Sequence, residues 1–283
     1  MTSAPEISRA NPASFLFLID QSGSMQYQLA GQADGDSKMK AAADAVNRTI
    51  QAIAMRCSQG EEVRDYFHIG VIGYKTDSTG NPILQAALSG TTVEEPYMSI
   101  SDVVEIATTE TRPIKESDGA GGLVVVDRTF AIWVQPEAQF GTPMSEAFHA
   151  AHKAIKARAK EYGTSYPPIL INISDGEPSD GKPTQTASEI MEEKTVHGNA
   201  LIFNIHLSDK SAIPIAYPST AANLDAFGEM LFEMSSKLPP MAVEAGRALE
   251  ITIPEDARGY VYNSNMESLV QFLEIGTRAG NLS

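Results

Sequence analysis

The sequence has one cysteine, Cys57, among 283 residues, so it cannot form a disulfide within a single chain. Disulfides persist in oxidising compartments, and their exclusion here is typical of a protein kept in a reducing cytoplasm. Residues 1–14 lack the basic start and apolar core of a signal peptide. No run approaches the roughly 20 apolar residues of a membrane span. We therefore expect a cytoplasmic protein without a membrane segment.

Basic residues are also scarce. The chain has 21 Lys and Arg against 36 Asp and Glu, which gives a formal net charge of -15. Nucleic-acid binding needs a basic face to neutralise phosphates, and anionic lipid repels an acidic surface. The composition therefore predicts no nucleic-acid partner and no membrane partner.

The common signatures of hydrolases and nucleotide-binding enzymes are missing. We find no Gly-x-x-x-x-Gly-Lys-Ser/Thr loop, no His-Glu-x-x-His and no Gly-x-Ser-x-Gly. The segment from Asp20 to Ser22 also lacks the second aspartate of phosphatases that use Asp-x-Asp. We expect a protein that is not an enzyme, with metal-assisted phosphoester hydrolysis as an alternative.

One apolar run ends abruptly in oxygen-bearing side chains. Residues 15–19 are all apolar and predict a strand buried on both faces of a parallel sheet. Asp20, Ser22 and Ser24 follow at alternate positions, where the carboxyl end of such a strand meets a ligand-binding edge. Hard divalent cations take oxygen ligands, so this pattern indicates a metal site.

Two later segments place further oxygens at the same predicted edge. Thr142 precedes Pro143 and an alanine-rich stretch, which predicts a loop or helix N-cap position for the threonine hydroxyl. Residues 169–174 predict another buried strand, which delivers Asp175 into a turn before Gly176. An ordinary Asx-type turn at each strand end is the alternative interpretation.

The order of these residues resembles the von Willebrand factor A (VWA) family and its metal-ion-dependent adhesion site. That site has the pattern Asp-x-Ser-x-Ser, then a distant Thr, then a distant Asp. The resemblance implies five metal-site residues that bind Mg²⁺, with Mn²⁺ or Ca²⁺ also possible. These are Asp20, Ser22, Ser24, Thr142 and Asp175.

Strands and helices alternate along most of the chain. This predicts an α/β fold with a doubly wound, mostly parallel central sheet and helices on both faces, a Rossmann-like arrangement. We expect a single domain over residues 12–278, with flexible termini at 1–11 and 279–283. The predicted helices are 38–55, 142–162, 184–197, 222–234 and 266–275, and the predicted strands include 67–74, 169–174, 200–207 and 259–262. An antiparallel edge strand is expected at 83–88.

Residues 91–140 do not fit the minimal fold. Residues 103–106 precede a Gly-rich turn at 117–122, and residues 123–134 after the turn are rich in β-branched and aromatic side chains. The pattern predicts an inserted β-hairpin that enters the chain directly before Thr142. It either shapes the choice of partner beside the metal face or only extends the sheet edge.

Within the family, the Ser-Gly-Ser-Met loop at residues 22–25 and the segments 257–262 and 268–273 resemble those of bacterial cytoplasmic proteins of the TerY-like kind. That resemblance implies a binding module whose metal coordinates an Asp or Glu of a protein partner, in a signalling or stress-response assembly. The partner is expected to be a kinase, a phosphatase or an AAA+ ATPase. The alternative is a structural subunit in which the metal site is not essential.

The remaining candidates have simpler interpretations. Cys57 is expected to pack at a helix end. His149 and His152 are expected on a solvated helix face, since no third ligand follows at a diagnostic spacing. His206 is expected in the core or at the rim of the sheet, and residues 34–36 in a flexible polar loop.

Overall fold

In a computed structural model, the structure describes residues 7–30, 36–117, 119, 122–209 and 213–277. The strands are β1 Ala13–Asp20, β2 Ser58–Gln59, β3 Glu62–Val63, β4 Phe67–Thr76, β5 Pro82–Ala86, β6 Tyr97–Ser99, β7 Thr108–Ser117, β8 Leu123–Ile132, β9 Ile169–Ser174, β10 Lys194–Thr195, β11 Gly198–Asn199, β12 Leu201–Leu207, β13 Ile215–Ala216 and β14 Tyr260–Ser264. The helices are α1 Lys38–Cys57, α2 Ile100–Glu105, α3 Met144–Glu161, α4 Thr184–Glu192, α5 Ala226–Glu233, α6 Pro240–Ala248 and α7 Met266–Gly276.

The central sheet has the strand order β13-β14-β12-β9-β1-β4-β5, and β6 also pairs with β4. The five strands from β14 to β4 are parallel, while β13, β5 and β6 are antiparallel to their neighbours. This confirms the predicted α/β class and its mostly parallel sheet. In chain order, β4 and β5 lie on one side of β1, whereas β9, β12 and β14 lie on its other side. The strand order therefore changes direction at β1, and the carboxyl end of β1 faces the crevice where such sheets bind ligands.

Alternate side chains of β1 enter two separate cores. Phe15 and Phe17 belong to the core under α1, α2 and α7, whereas Leu16 and Leu18 belong to the core under α3, α4 and α5. Side chains on a strand point to opposite faces in turn, so a strand covered on both faces must be apolar at every position. This is why the continuous apolar run could be recognised in the sequence.

The predicted antiparallel edge strand is present, as β5. The inserted hairpin is also present, as β7 and β8, but its first strand is not where it was expected. Residues 103–106, predicted as a strand, fall in and just after α2. The Ser99 side chain accepts a hydrogen bond from the Asp102 amide and caps that helix, which outweighs the strand preference of the β-branched residues. Of the predicted turn at 117–122, residues 118, 120 and 121 lie outside the described part of the chain.

Two predicted helix bounds were wrong, and one helix was not predicted. Helix α4 ends at Glu192 instead of residue 197, because β10 and β11 form a short hairpin there. Helix α5 begins at Ala226 instead of residue 222, because the Asp225 side chain accepts a hydrogen bond from the Gly228 amide and caps the helix there. Helix α6 was not predicted, since its start at Pro240 follows another proline and suggests a loop.

The described part of the chain begins within the segment that was predicted to be a flexible terminus. Ile7 lies inside the segment predicted to be flexible, yet its side chain is buried in the core under α1. Residues 1–6 and 278–283 lie outside the described part of the chain, as do residues 34 and 35 of the predicted polar loop. Among the described residues, no helix combines the length and apolar character needed to cross a bilayer.

Candidate metal site

Strands β1 and β9 are parallel neighbours in which Ile19 lies beside Ile173, so their carboxyl ends leave the sheet side by side. The Asp20 carboxylate is fully buried at this point. Its Oδ2 accepts a hydrogen bond of 2.6 Å from the Ser174 hydroxyl, and its Oδ1 accepts one of 2.8 Å from the Ser22 amide. These bonds fix the orientation of Asp20 at the edge of the sheet.

Side-chain hydrogen bonds join the loop after β1, which contains Ser22 and Ser24, to the loop after β9, which contains Asp175. The Ser24 hydroxyl donates to Asp175 Oδ1 at 2.7 Å, and the Ser22 and Ser24 hydroxyl oxygens are 3.1 Å apart. Because the Ser24 proton points to Asp175, Ser22 is the donor to Ser24. The structure thus brings four of the five predicted residues into one connected cluster, and both hydroxyl oxygens retain lone pairs for another ligand.

Thr142 reaches the same place from a third loop. A Cβ atom on Gly176 would lie 3.6 Å from Ser24 Oγ and 3.7 Å from Thr142 Oγ1, so both hydroxyls border the Gly176 backbone. The Thr142 backbone is fixed by two hydrogen bonds with Ser179, one through the amide and one through the carbonyl. All five predicted residues therefore lie around one point at the carboxyl edge of the sheet.

Of the two predicted positions for Thr142, a loop or a helix N-cap, the structure has the loop. The residue before α3 is Pro143, and no side chain of the cap position bonds to the helix. Instead, the Asp180 carboxylate accepts hydrogen bonds from the amides of Ser145 and Glu146. An acidic group at a helix N-terminus satisfies its free amides and suits its dipole, which leaves the Thr142 hydroxyl available to the site.

Two aspartates share this buried space. Burial, and secondarily the charge of Asp175, raise the pKa of Asp20 to about 6, although hydrogen bonds from Ser174 and Ser22 oppose the increase. Desolvation and a like charge both disfavour the ionised form of a carboxylic acid. The site is therefore short of positive charge.

Lys38 also belongs to this cluster, although the sequence did not predict it there. Its side chain is only 4% exposed, and its Nζ lies 2.5 Å from Asp175 Oδ2. Lys38 is the first residue of α1, where a cation is unfavourable next to the helix dipole, so the contact with Asp175 must compensate for that position. Its spacing of three, four and seven residues from the buried Ala41, Ala42 and Ala45 is the signal that could have revealed it.

The donor set fits a hard divalent cation. It consists of two carboxylates and three hydroxyls, and such all-oxygen sets suit Mg²⁺, Mn²⁺ or Ca²⁺. Asp175 Oδ2 is buried and receives no well-directed hydrogen bond, so it still has an acceptor position. No group of three His, Cys, Asp or Glu side chains elsewhere in the described ranges could hold a metal.

The other polar candidates lie in different surroundings. His152 Nε2 is 3.0 Å from Glu193 Oε1 on the outer side of α3. His206 stacks on Tyr262, with ring centroids 4.8 Å apart. Cys57 is buried at the end of α1, and this burial raises the pKa of its thiol to about 11. A thiol in that condition is a poor nucleophile.

No protein-family model matches the chain, and no curated protein matches it. Several solved structures are similar. The vWF domain of the type V pili tip protein Mfa5 from Porphyromonas gingivalis is 14% identical, with a TM-score of 0.32, and the match covers 59% of this chain and 39% of that one. Manganese-loaded Plasmodium vivax TRAP protein is 13% identical, with a TM-score of 0.44, covering 94% and 74%.

A third similar structure is the PilB minor pilin from Streptococcus sanguinis, at 10% identity and a TM-score of 0.47, covering 95% of this chain and 62% of that one. The chain thus spans less than two thirds of the PilB and Mfa5 structures. Every one of these TM-scores is below 0.5, so the α/β architecture is assigned from the strand order and register given above.

Proposed function

We propose that this chain is a metal-dependent protein-binding module. The observation that carries the proposal is the convergence of Asp20, Ser22, Ser24, Thr142 and Asp175 from three loops at one sheet edge. Those residues would hold Mg²⁺ or Mn²⁺, and the ion would supply a Lewis-acidic position for a carboxylate oxygen. The two aspartates and Lys38 carry one net negative charge, and a dication changes it to one net positive charge.

The proposed ligand is an Asp or Glu side chain of another protein. A carboxylate is attracted to a site with net positive charge, and the attraction is stronger where protein shields the site from water. Ser22, Ser24 and Thr142 would orient the ion through neutral oxygens, so its charge is not fully compensated by the protein. The net charge of -15 on the chain as a whole adds a long-range repulsion that salt screens beyond roughly 10 Å.

The biological setting follows only from the TerY-like resemblance. We propose a bacterial, cytoplasmic signalling or stress-response assembly, in which the partner is a kinase, a phosphatase or an AAA+ ATPase. The absence of nucleophile and phosphate-loop motifs supports a role that is not enzymatic. Hydrolysis of p-nitrophenyl phosphate that rises with added Mg²⁺ or Mn²⁺ would contradict this part of the proposal.

The contact between Lys38 and Asp175 favours a second function, a structural subunit that works without metal. The Lys38 ammonium already places a positive charge beside Asp175. If the protein needs no further cation there, its partner would be retained after removal of divalent ions.

Isothermal titration calorimetry with Mg²⁺ and Mn²⁺ tests the first function. The wild-type chain is expected to bind one ion, and Asp20→Ala is expected to bind at least tenfold more weakly, since it removes a charged ligand. Asp256→Ala is the matched control, because Asp256 is an exposed carboxylate that pairs with Lys237 instead. No heat of binding from folded wild-type protein would overturn the proposal.

Partner capture separates the two functions. With the tagged chain in its native host, loss of a co-purifying protein with EDTA and with Asp20→Ala, but not with Asp256→Ala, is expected for a metal-dependent module. Retention of the same protein under all three conditions would support the structural subunit.

A further inference from the structure

A strained aromatic residue stands beside the candidate site. Phe140 has a φ of 54°, and its side chain is 55% exposed. A left-handed backbone is uncommon for any residue other than glycine and is a clear outlier for a bulky one. Exposing a phenylalanine ring to water is also unfavourable. Neither feature stabilises the isolated chain, so the residue needs another explanation.

The backbone around Phe140 is held by the loops of the site itself. Its carbonyl accepts a hydrogen bond of 2.8 Å from the Gly23 amide, between Ser22 and Ser24. The amide of the next residue, Gly141, donates to the Thr76 hydroxyl at 2.9 Å. A Cβ on Gly23 would lie 3.2 Å from the Phe140 carbonyl oxygen, so glycine permits this close approach. The Phe140 backbone is thus fixed beside the loop that contains Ser22 and Ser24.

A second exposed aromatic side chain borders the cluster through Lys38. Tyr27 is 62% exposed, and its carbonyl accepts a hydrogen bond of 2.9 Å from the Lys38 amide. The Lys38 Nζ atom lies 5.7 Å from the centroid of the Tyr27 ring and 2.5 Å from Asp175. Tyr27 follows the loop that contains Ser24, whereas Phe140 precedes the loop that contains Thr142, so two different loops place aromatic rings near the five oxygens.

We propose that Phe140 and Tyr27 are partner-contact residues that select an acidic side chain flanked by apolar ones. This rests on the proposed function, because the acid is the group attracted to the metal. A peptide segment whose carboxylate enters the site would place the residues on either side of the acid against the exposed rings. Apolar residues at those positions would lose contact with water, which favours binding. A segment with polar neighbours would leave both rings hydrated.

Fluorescence anisotropy with labelled peptides tests this selection on the manganese-loaded chain. The probes are Gly-Leu-Asp-Leu-Gly, Gly-Ser-Asp-Ser-Gly and Gly-Leu-Asn-Leu-Gly, which vary the neighbours and the acid separately. We expect the first peptide to bind roughly tenfold more tightly than the second, as burial of leucine side chains predicts, and the third not to bind. Equal binding of the first two, or binding of neither, would overturn the inference.

Variants of Phe140 then assign the preference to its ring. Phe140→Gly is expected to reduce the tenfold preference to less than threefold, while Phe140→Leu is expected to keep most of it. Val196→Ala is the matched control, since Val196 is an exposed apolar residue in the turn between β10 and β11. An unchanged preference in Phe140→Gly would contradict the role of Phe140. A preference lost in Val196→Ala as well would contradict it too.

Two measurements distinguish an error in the role of Phe140 from an error in the proposed function. Manganese affinity of Phe140→Gly should equal that of the wild type, because Phe140 donates no ligand atom. Its melting temperature should be equal or higher, since glycine adopts a φ of 54° without strain. A melting temperature lowered by several degrees would mean that the ring is structural and would overturn the inference. No manganese binding by the wild type would instead overturn the proposed function.

Discussion

Two charged clusters lie at the start of α1, on different faces of the helix. In the site cluster, Lys38 is 4% exposed and pairs with the fully buried side chain of Asp175. In the hairpin cluster, the Lys40 side chain is 35% exposed and pairs with Asp36 and Asp44, and Arg112 of β7 also binds Asp44. The lysines are only two residues apart in sequence.

The difference between the clusters is the access of water to their charges. The site cluster has two carboxylates, Asp20 and Asp175, and one basic group, Lys38. The hairpin cluster has three carboxylates and two basic groups, since Arg112 also pairs with Glu110. Water reaches the side chains of Asp36, Lys40 and Glu110, which are 34%, 35% and 47% exposed, and solvates the excess charge of the hairpin cluster. The exposed pairs therefore contribute little to stability, whereas Asp44 is 11% exposed and is the buried member of that cluster. The site cluster is buried, where an excess carboxylate is expensive unless it is protonated or compensated by a cation. Of the two clusters, only the site cluster therefore has an excess buried carboxylate whose charge a metal ion could balance.

Removing Asp175 should have the largest effect. Asp175→Asn leaves the Lys38 ammonium buried without its ion-pair partner, and such breaks destabilise by about 3 kcal/mol or more. Relief of the repulsion with Asp20 offsets part of this. The measurement is the free energy of unfolding in urea without divalent ions. Asp36→Asn is the matched control, because the Asp36 side chain is 34% exposed, and it should lose less than about 1 kcal/mol. Equal losses in the two variants would show that burial does not separate the clusters.

Removing Lys38 should make stability depend on metal. Lys38→Met leaves two buried carboxylates without their cation and should lose about 2 kcal/mol in the absence of divalent ions. Added Mn²⁺ binds the folded state and should restore most of that loss. The readout is the melting temperature with EDTA and with millimolar Mn²⁺, and the metal-induced rise should be larger in the variant than in the wild type.

Lys40→Met is the control for that experiment, because Lys40 pairs only with residues of the hairpin cluster in the contacts described above. Its metal-induced rise should equal that of the wild type. A Lys38→Met protein that is destabilised but does not respond to Mn²⁺ would indicate that the site cluster serves only the fold. The double variant with Asp175→Asn should be more stable than the sum of the single losses predicts, since the two residues are in contact.

The sequence predicted the aspartates of the site cluster but not its lysine, for a physical reason. Asp20 and Asp175 each follow an apolar strand, and parallel strands end at a common edge, so local patterns were enough to bring them together. The contact of Lys38 with Asp175 joins residues 137 positions apart, and it depends on how α1 packs against the sheet. No local sequence pattern predicts that packing, although the alanines at positions 41, 42 and 45 indicated which face of α1 is buried.

The inserted hairpin shows the same limit. Its β-branched residues predicted a strand at 123–134, which the structure has at Leu123–Ile132, but the partner strand β7 is mostly polar and was missed. Pairing across the hairpin, rather than burial, makes β7 a strand. The base of the hairpin is attached to α1 by Asn47, whose side chain bonds to the backbone of Trp133 and Val134. A polar helix residue that binds distant backbone groups has no recognisable signature in a single sequence.

Acid should weaken the hairpin cluster by a small amount. Burial alone would raise the pKa of Asp44, but hydrogen bonds from Lys40 and Arg112 outweigh it and hold the pKa below the ordinary value. A carboxyl whose folded pKa is depressed stabilises the folded state above its unfolded pKa and loses that contribution as the pH falls through its folded pKa. The wild type should therefore exceed Asp44→Asn in stability by about 1 kcal/mol at pH 7, and the difference should shrink toward pH 3. Urea unfolding of both proteins across this range measures it, and a difference that grows toward acid would mean that Asp44 is protonated more readily in the folded state than in the unfolded chain.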